Sequence, residues 1–402
     1  MINEGETSRQ ILIVAGEASA DRYGAALVRS LEAMHGKGKI RFWGTGGDAM
    51  QSAGVELLAH VRDMGLIGVG EVFSGLVSYY RLLRRLTDRA AAQPPDVAIL
   101  LDFPDFNLRL IKNLKRRGIK TVYYISPQVW AWRSGRVRII RRYVDKMLVI
   151  LPFEEEFYRR RGVAAEFVGH PLLEDFHPTA NRVEFLESEG FSTECPTVAL
   201  LAGSRRQEIG YILPTMLRAA KLLAAERPVQ FLISVAPTVE RKYVEEITRI
   251  ELASFPDRER FRVTSRSSRD ILANSDFAMV KSGTSVLEAA LIGIPFLITY
   301  RISTLSWQIG SLLIRTHSKG LVNLLAGERI VPELFQNEAT AEALARTTCD
   351  YLENPEKCTA LREELGKIRI RLGARCASET AAAIVSSYLQ DSAYVDENYT
   401  HP

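Results

Sequence analysis

Short runs of β-branched and aliphatic residues recur along this chain, each followed by an amphipathic stretch, and the whole pattern occurs twice. In the first half Ile11-Ala15, Ile40-Trp43, Val97-Leu101, Thr121-Ile125 and Lys146-Leu151 read as buried strands. Helical patterns follow most of them. Between Asp105 and Lys115, for example, Phe106, Leu110, Ile111 and Leu114 share one stripe. After a polar stretch from about Pro171 to Pro196 the alternation restarts with Thr197-Leu201, Val229-Val235, Arg260-Thr264, Phe277-Lys281 and Pro295-Tyr300. Strands buried on both faces and alternating with helices predict an α/β protein with parallel, doubly wound sheets. Two such halves predict two Rossmann-like domains facing a central cleft, with ligands at the carboxyl ends of the strands. The expected domains are 1–180, 181–370, and a terminal helix with a polar tail over 371–402.

Composition narrows the partners. Apolar residues make up 47% and charged residues 25%, the balance of a soluble globular protein. No run of about 18 uncharged apolar residues occurs, so no span of a membrane is expected. The first ten residues lack the apolar core of a signal peptide. The four cysteines, Cys195, Cys349, Cys358 and Cys376, contain no CxxC pair, which fits a reducing compartment and gives no zinc pattern. The chain is therefore expected to be cytoplasmic, without metal, cofactor or nucleic-acid partner. Net charge is only +4, but twelve of the residues from Arg109 to Lys146 are Lys or Arg against the single acid Asp145. So one-sided a stretch attracts phosphates or an acidic bilayer, or else consists of solvated helix faces.

Two strand-to-helix turns in the second half suit a diphosphate. Phe277-Lys281 runs into Ser282-Gly283-Thr284-Ser285 and then a helix from Val286. Glycine permits close approach, and first-turn amides with the helix dipole favour an anion. Glu288, one turn in, is placed to accept bonds from ribose hydroxyls. The competing reading is an ordinary N-cap by Ser282 or Thr284 with Glu288 in a capping box. Thr197-Leu201 runs into Gly203-Ser204-Arg205-Arg206-Gln207-Glu208, again Gly-Ser before a helix, now with arginines that clamp phosphate oxygens. Asp-x-Asp is absent from the sequence, so helix dipoles and arginines are expected to hold the diphosphate without a metal.

In the first half Asp102 ends a buried strand, where a partly desolvated carboxylate is placed to take a proton from a hydroxyl. Asp105, before the helix, is the expected N-cap. Gly16-Glu17-Ala18-Ser19-Ala20-Asp21 is either a seat for an anionic group or a plain turn capped by Ser19. Leu66, Val69, Phe73, Leu76, Tyr80 and Leu83 follow helical spacing beside Arg81, Arg84, Arg85 and Arg89, which suits a membrane interface as well as a core helix. Gly65, Gly68, Gly70 and Gly75 argue against a long rigid helix. His170 lies at the expected junction, either structural or facing the cleft. Trp130 and Trp132 are expected as core and cleft lining.

Taken in order, these stretches resemble lipid-A-disaccharide synthases, glycosyltransferases of family 19 with the GT-B fold. The matching pieces are AGEASAD from Ala15, DFPDFNLRL from Asp102, YISPQVWAWR from Tyr124, LPFEEEFY from Leu151, VGHPLL from Val168, AGSRRQE from Ala202, KSGTSVLEAAL from Lys281 and VNLLAGERIVPELFQNEAT from Val322. The sequence departs from the family pattern at Ala20, where Gly is usual, and at Ala202, where Pro is. The resemblance implies transfer of 2,3-diacylglucosamine from UDP-2,3-diacylglucosamine to lipid X (2,3-diacylglucosamine 1-phosphate), with inversion, giving the β(1→6) lipid A disaccharide 1-phosphate and UDP. It implies Asp102 as general base. Arg205, Glu288, Asn323 and Gln336 then bind the UDP-sugar or support catalysis, with Asn323 and Gln336 assigned by the resemblance alone. Glu17, Ser19, Gln128, Ser204, Glu208, Ser282, Gly283 and Thr284 complete the expected substrate contacts. It also implies a peripheral protein on an anionic surface, the inner face of the inner membrane of a Gram-negative-type bacterium. A UDP-N-acetylglucosamine 2-epimerase-like enzyme of the same fold, and a UDP-sugar-binding protein without chemistry, are the other readings of the two-domain pattern.

Overall fold

The computed structural model describes residues 9–64, 72–130, 134–174, 181–301, 320–373 and 376–396, without the side chains of 72–76 and 390–396. The chain divides into two compact units, 1–174 with 372–402, and 175–371. The first runs β1 (Arg9–Ala15), α1 (Ala18–His35), β2 (Ile40–Gly46), α2 (Asp48–Ser52), β3 (Glu56–His60), α3 (Val61–Met64), α4 (Val72–Ala92), β4 (Val97–Leu101), α5 (Pro104–Lys115), β5 (Lys120–Tyr124), α6 (Val137–Tyr143), β6 (Lys146–Val149), α7 (Pro152–Arg159) and β7 (Ala165–Phe167). The second runs α8 (Arg182–Ser188), β8 (Thr197–Leu201), α9 (Arg206–Glu226), β9 (Gln230–Ser234), α10 (Arg241–Glu251), β10 (Phe261–Thr264), α11 (Ser268–Ala273), β11 (Phe277–Lys281), α12 (Thr284–Ile292), β12 (Phe296–Tyr300), α13 (Leu321–Ala326), β13 (Glu333–Phe335), α14 (Ala341–Glu353) and α15 (Pro355–Arg371). The last helix, α16 (Ala377–Asp396), belongs to the first unit.

Each unit is built on one parallel sheet. The first has order β3-β2-β1-β4-β5-β6-β7, the second β10-β9-β8-β11-β12-β13. In both, chain order reverses beside the first strand, so the switch point lies between β1 and β4 and between β8 and β11. All ten strands expected from apolar runs are present. The three additional ones, β3, β7 and β13, lie at sheet edges, and β3 and β7 are only half-buried. An edge strand is covered on fewer sides, so its sequence needs no continuous apolar run.

The cores follow from the periodicities. Residues Ile11 to Ala15 are wholly buried, alternating between a layer under α1 and α16 and a layer under α4, α5 and α6. Burying one such Ile or Leu contributes about 1.5–3 kcal/mol. The terminal helix returns to the first unit because Ala377, Ala381, Val385 and Leu389 form a stripe against that core. Glu174 fastens its first turn, accepting from Ser378 N and Oγ at 2.6 Å each, a carboxylate at the positive end of a helix. Ala20, the departure noted in the first loop, points its methyl into the same core.

Candidate active site

At the β1/β4 switch point the backbone is strained. Asp102 and Phe103 take positive φ of 43° and 46°, and Ile125 at the end of β5 takes 67°. The left-handed region disfavours side-chain-bearing residues, and such outliers persist only where neighbours hold them. Here Asn107 Nδ2 donates to the carbonyls of Leu101 (3.1 Å) and Asp102 (2.8 Å), and Tyr123 OH donates to the Asp102 carbonyl. Gly16, at the end of β1, makes room for Phe103, since a Cβ there would lie 2.3 Å from the ring. The result is a half-buried carboxyl at Asp102, facing the end of β1. Burial, aided by the charge of Glu17, pushes its pKa up to about 7.

The neighbouring side chains differ from several expectations. Phe103, not Asp105, is the N-cap of α5; Pro104 fills the first helical position, and Asp105 instead pairs with Arg136. Ser19 does not cap α1 either. It lies inside the first turn, Glu17 is the N-cap, and no side chain caps that end. Asp21 is buried and caps a different helix, accepting from the amides of Gly47 (2.6 Å), Ala49 (3.1 Å) and Met50 (3.0 Å) at the start of α2. Gln128 is exposed beyond β5. Trp130 donates from Nε1 to Glu154 at 3.0 Å; Glu154 is buried, which raises its pKa to about 8. Trp132 lies outside the described residues. His170 is structural: burial holds its pKa down to about 4, and Nδ1 accepts from Leu172 N at the start of a helical turn.

In the second unit the loops after β8 and β11 lie side by side, with Leu201 paired to Val280. Neither following helix carries a side-chain cap. Arg205 is the N-cap of α9 and Gly283, in extended conformation, the N-cap of α12. The capping reading of Ser282, Thr284 and Glu288 is thereby corrected. Ser282 donates its amide to Thr299 O, and Glu288, buried in the second turn, accepts from Ser268 Oγ at 2.9 Å with Arg269 4.0 Å away. Ser204, Arg205, Gly283 and Thr284 are exposed. Thr238 holds the Ser204 carbonyl at 2.6 Å. Gln336 follows β13 with φ 52°, at the same end of the sheet as Tyr300.

Asn323 lies inside the fold. It is wholly buried, and both its donors and both its acceptor lone pairs are used inside the protein: to Val331 O, Glu333 Oε1, and from the amides of Ile330 and Val331. These bonds hold the turn before β13, so any part Asn323 plays in catalysis runs through the backbone it fixes.

The α4 segment has two faces. Tyr79, Leu82, Leu86 and Ala90 pack on the core, with Leu83 partly buried against it. Val77 and Tyr80 are 56% and 52% exposed, flanked by exposed Arg81, Arg84 and Arg85. Leu83 therefore leaves the expected interface stripe, because the core face of the helix is centred on Leu82 and Leu86. Leu66 and Val69 lie outside the described residues, as do the side chains of Phe73 and Leu76. No helix among the described residues is long and apolar enough to cross a membrane.

Two kinds of residue escaped sequence reasoning. Asn107 and Tyr123 act through the backbone of Asp102; the available signal was a polar Asn on the buried stripe of α5. Lys281 ends β11 between the two phosphate-type loops. Its position immediately before Ser-Gly-Thr was the signal.

A family model described as lipid-A-disaccharide synthetase matches residues 11–386. The lipid-A-disaccharide synthase of Syntrophus aciditrophicus is 43% identical over 386 residues, covering 96% of this chain and 99% of that protein. That of Myxococcus xanthus is 43% identical over 382 residues, covering 94% and 97%. Among solved structures, a putative UDP-N-acetylglucosamine 2-epimerase from Listeria monocytogenes aligns with a TM-score of 0.67 at 14% identity, covering 96% of this chain and 97% of that one. The calicheamicin glycosyltransferase CalG4 aligns at 0.59 and 15%, covering 96% and 100%. Such identities speak to fold alone, and that fold is the GT-B-like pairing of two α/β domains.

Proposed function

This chain belongs to the lipid-A-disaccharide synthetase family and is a hexosyltransferase, and from that premise we propose the reaction in detail. UDP-2,3-diacylglucosamine donates its sugar to the 6-hydroxyl of lipid X, giving the β(1→6) disaccharide 1-phosphate and UDP with inversion. Asp102 takes the proton of the acceptor hydroxyl as its oxygen bonds to the anomeric carbon. The bond from that carbon to the β-phosphate oxygen breaks, and UDP leaves with the electron pair. A single in-line displacement of this kind needs no covalent enzyme intermediate and inverts the centre.

Asp102 carries the proposal. A carboxyl held in a left-handed turn at the switch point, with its pKa raised to about 7, is matched to taking a proton near neutral pH. Glu17, Ser19 and Gln128 stand around that edge of the first sheet and are assigned to the acceptor. Ser204, Arg205 and the Ser282-Gly283-Thr284 turn are assigned to the diphosphate, on the strength of two uncapped helix ends beside one another. Glu288 and Gln336 are assigned to the nucleoside and sugar of the donor. The outward face of α4, Val77 and Tyr80 among Arg81, Arg84 and Arg85, is assigned to the anionic inner face of the inner membrane, where both lipid substrates reside.

Incubation with UDP-2,3-diacylglucosamine and lipid X, followed by mass spectrometry, is the direct test. The expected product is one disaccharide 1-phosphate per UDP released. Folded protein that yields none excludes the reaction. The epimerase reading rests only on fold likeness at 14% identity or less and has no observation of its own in this chain.

A further inference from the structure

Between the two diphosphate-type loops lies an ion pair that the reaction scheme above does not use. Lys281 Nζ is 3.1 Å from Glu208 Oε1, with the side chains 16% and 10% exposed. The pair fills the space beside both loop glycines. A Cβ on Gly203, whose φ is 119°, would lie 2.9 Å from Glu208 Oε2, and one on Gly283 would lie 3.3 Å from Lys281 Nζ. Tyr300 stands under the ammonium, its ring centre 5.4 Å away, and Arg205 reaches Glu208 at 3.6 Å.

Stability does not account for this arrangement. A largely buried ion pair roughly breaks even against its desolvation. Glu208 occupies the third helical position of α9, from which a glutamate ordinarily reaches back to the N-cap amide. Instead it turns to Lys281, and its Oε2 is buried without a hydrogen-bond partner. Lys281 is placed against the positive end of α12, where a cation is disfavoured by the helix dipole. Two uncapped helix ends, Lys281 and Arg205 thus converge on a single carboxylate. Two helix ends and Lys281 beside one carboxylate favour an anion.

We propose that Lys281 is the principal side-chain cation for the β-phosphate of the donor, and that Glu208 is a positioning residue that aims it without touching the ligand. An ammonium has three donors. Glu208 holds it as an ion pair at 3.1 Å, and its donors are available to phosphate oxygens at the Gly203 and Gly283 loops. As the bond to the sugar breaks, negative charge grows on the β-phosphate, so this contact strengthens in the transition state. The inference rests on the donor site proposed above and adds to it which charge discriminates a diphosphate from a monophosphate.

Calorimetric titration of the full chain with UDP, UMP and uridine tests it, alongside turnover and circular dichroism to confirm folding. Lys281→Met is expected to weaken UDP about thirtyfold, leave uridine unchanged and lose most of the preference for UDP over UMP. Lys281→Arg, which keeps the charge, is expected to retain most of that preference, and serves if the Met variant does not fold. Glu208→Gln is expected to keep UDP affinity within about threefold while lowering kcat about tenfold, because the cation remains and its aim is lost. An unchanged preference for UDP over UMP in Lys281→Met overturns the role of Lys281. Unchanged kcat in Glu208→Gln, or a loss of UDP affinity equal to that of Lys281→Met, overturns the role of Glu208. If the unaltered protein binds neither UDP nor UMP, the donor site itself falls, a different result from either.

Discussion

Replacing Asp102 by Asn separates chemistry from stability in opposite directions. Asn has the same shape and tolerates the left-handed conformation, so the contacts of the Asp102 carbonyl with Asn107 and Tyr123 should survive. Loss of a general base lowers turnover by about 10²–10⁴. The same substitution should stabilise the folded chain at alkaline pH. The carboxyl has an ordinary pKa of 3.8 and about 7 in the fold, so the folded protein holds its proton more tightly. Its favourable contribution is complete below pH 3.8 and is lost as pH rises through 7. Above that, the ionised carboxylate costs about 2–4 kcal/mol: the upper value is the full shift at 1.36 kcal/mol per unit, the lower allows for solvent reaching a half-buried group. Asp102→Asn should therefore melt higher than the unaltered chain at pH 8 and alike at pH 4, by circular dichroism. Turnover of the unaltered chain should rise about tenfold per pH unit below 7 and level off above it, since only the ionised form accepts a proton. Near-normal turnover in the variant, or a lower melting midpoint at pH 8, would refute the reasoning.

Gly16→Ala should push the Phe103 ring, because a Cβ would lie 2.3 Å from it, and so misplace Asp102. A kcat loss of tenfold or more with about 1–3 kcal/mol of destabilisation in urea melts is expected. Val77→Glu with Tyr80→Glu should reduce sedimentation with anionic liposomes about tenfold or more while leaving the melting midpoint in place, since both side chains are more than half exposed. Leu82→Glu, on the opposite face, should instead lower the melting midpoint sharply.

Much of the fold was legible because both sheets are parallel and doubly covered. Strands such as Ile11–Ala15 and Phe277–Val280 are continuous apolar runs, four to five residues long and bounded by turn residues. The edge strands β3 and β7 were not legible, for they bury too little to need one, and β13, though largely buried, is only three residues long and begins with a glutamate. Of the site, Asp102 and the Gly-Ser and Ser-Gly turns stood out by their place at strand ends. The expectations that failed, Asp105 and Ser19 as caps, concern side chains with several local partners. Sequence spacing does not choose among those.

What the sequence determined by itself is therefore local and periodic: two α/β halves, a carboxylate and two glycine turns at carboxyl ends of strands, and a helix with one basic outward face. Tertiary structure decided what those groups do electrostatically. The proton affinity of Asp102 depends on burial and on Glu17, brought beside it by the pairing of β1 with β4. The aim of Lys281 depends on Glu208, brought near by the pairing of β8 with β11. Periodicity encodes which face of an element is dry. Charge, by contrast, is set by distance and solvent exclusion between residues far apart in the chain, and only packing fixes those.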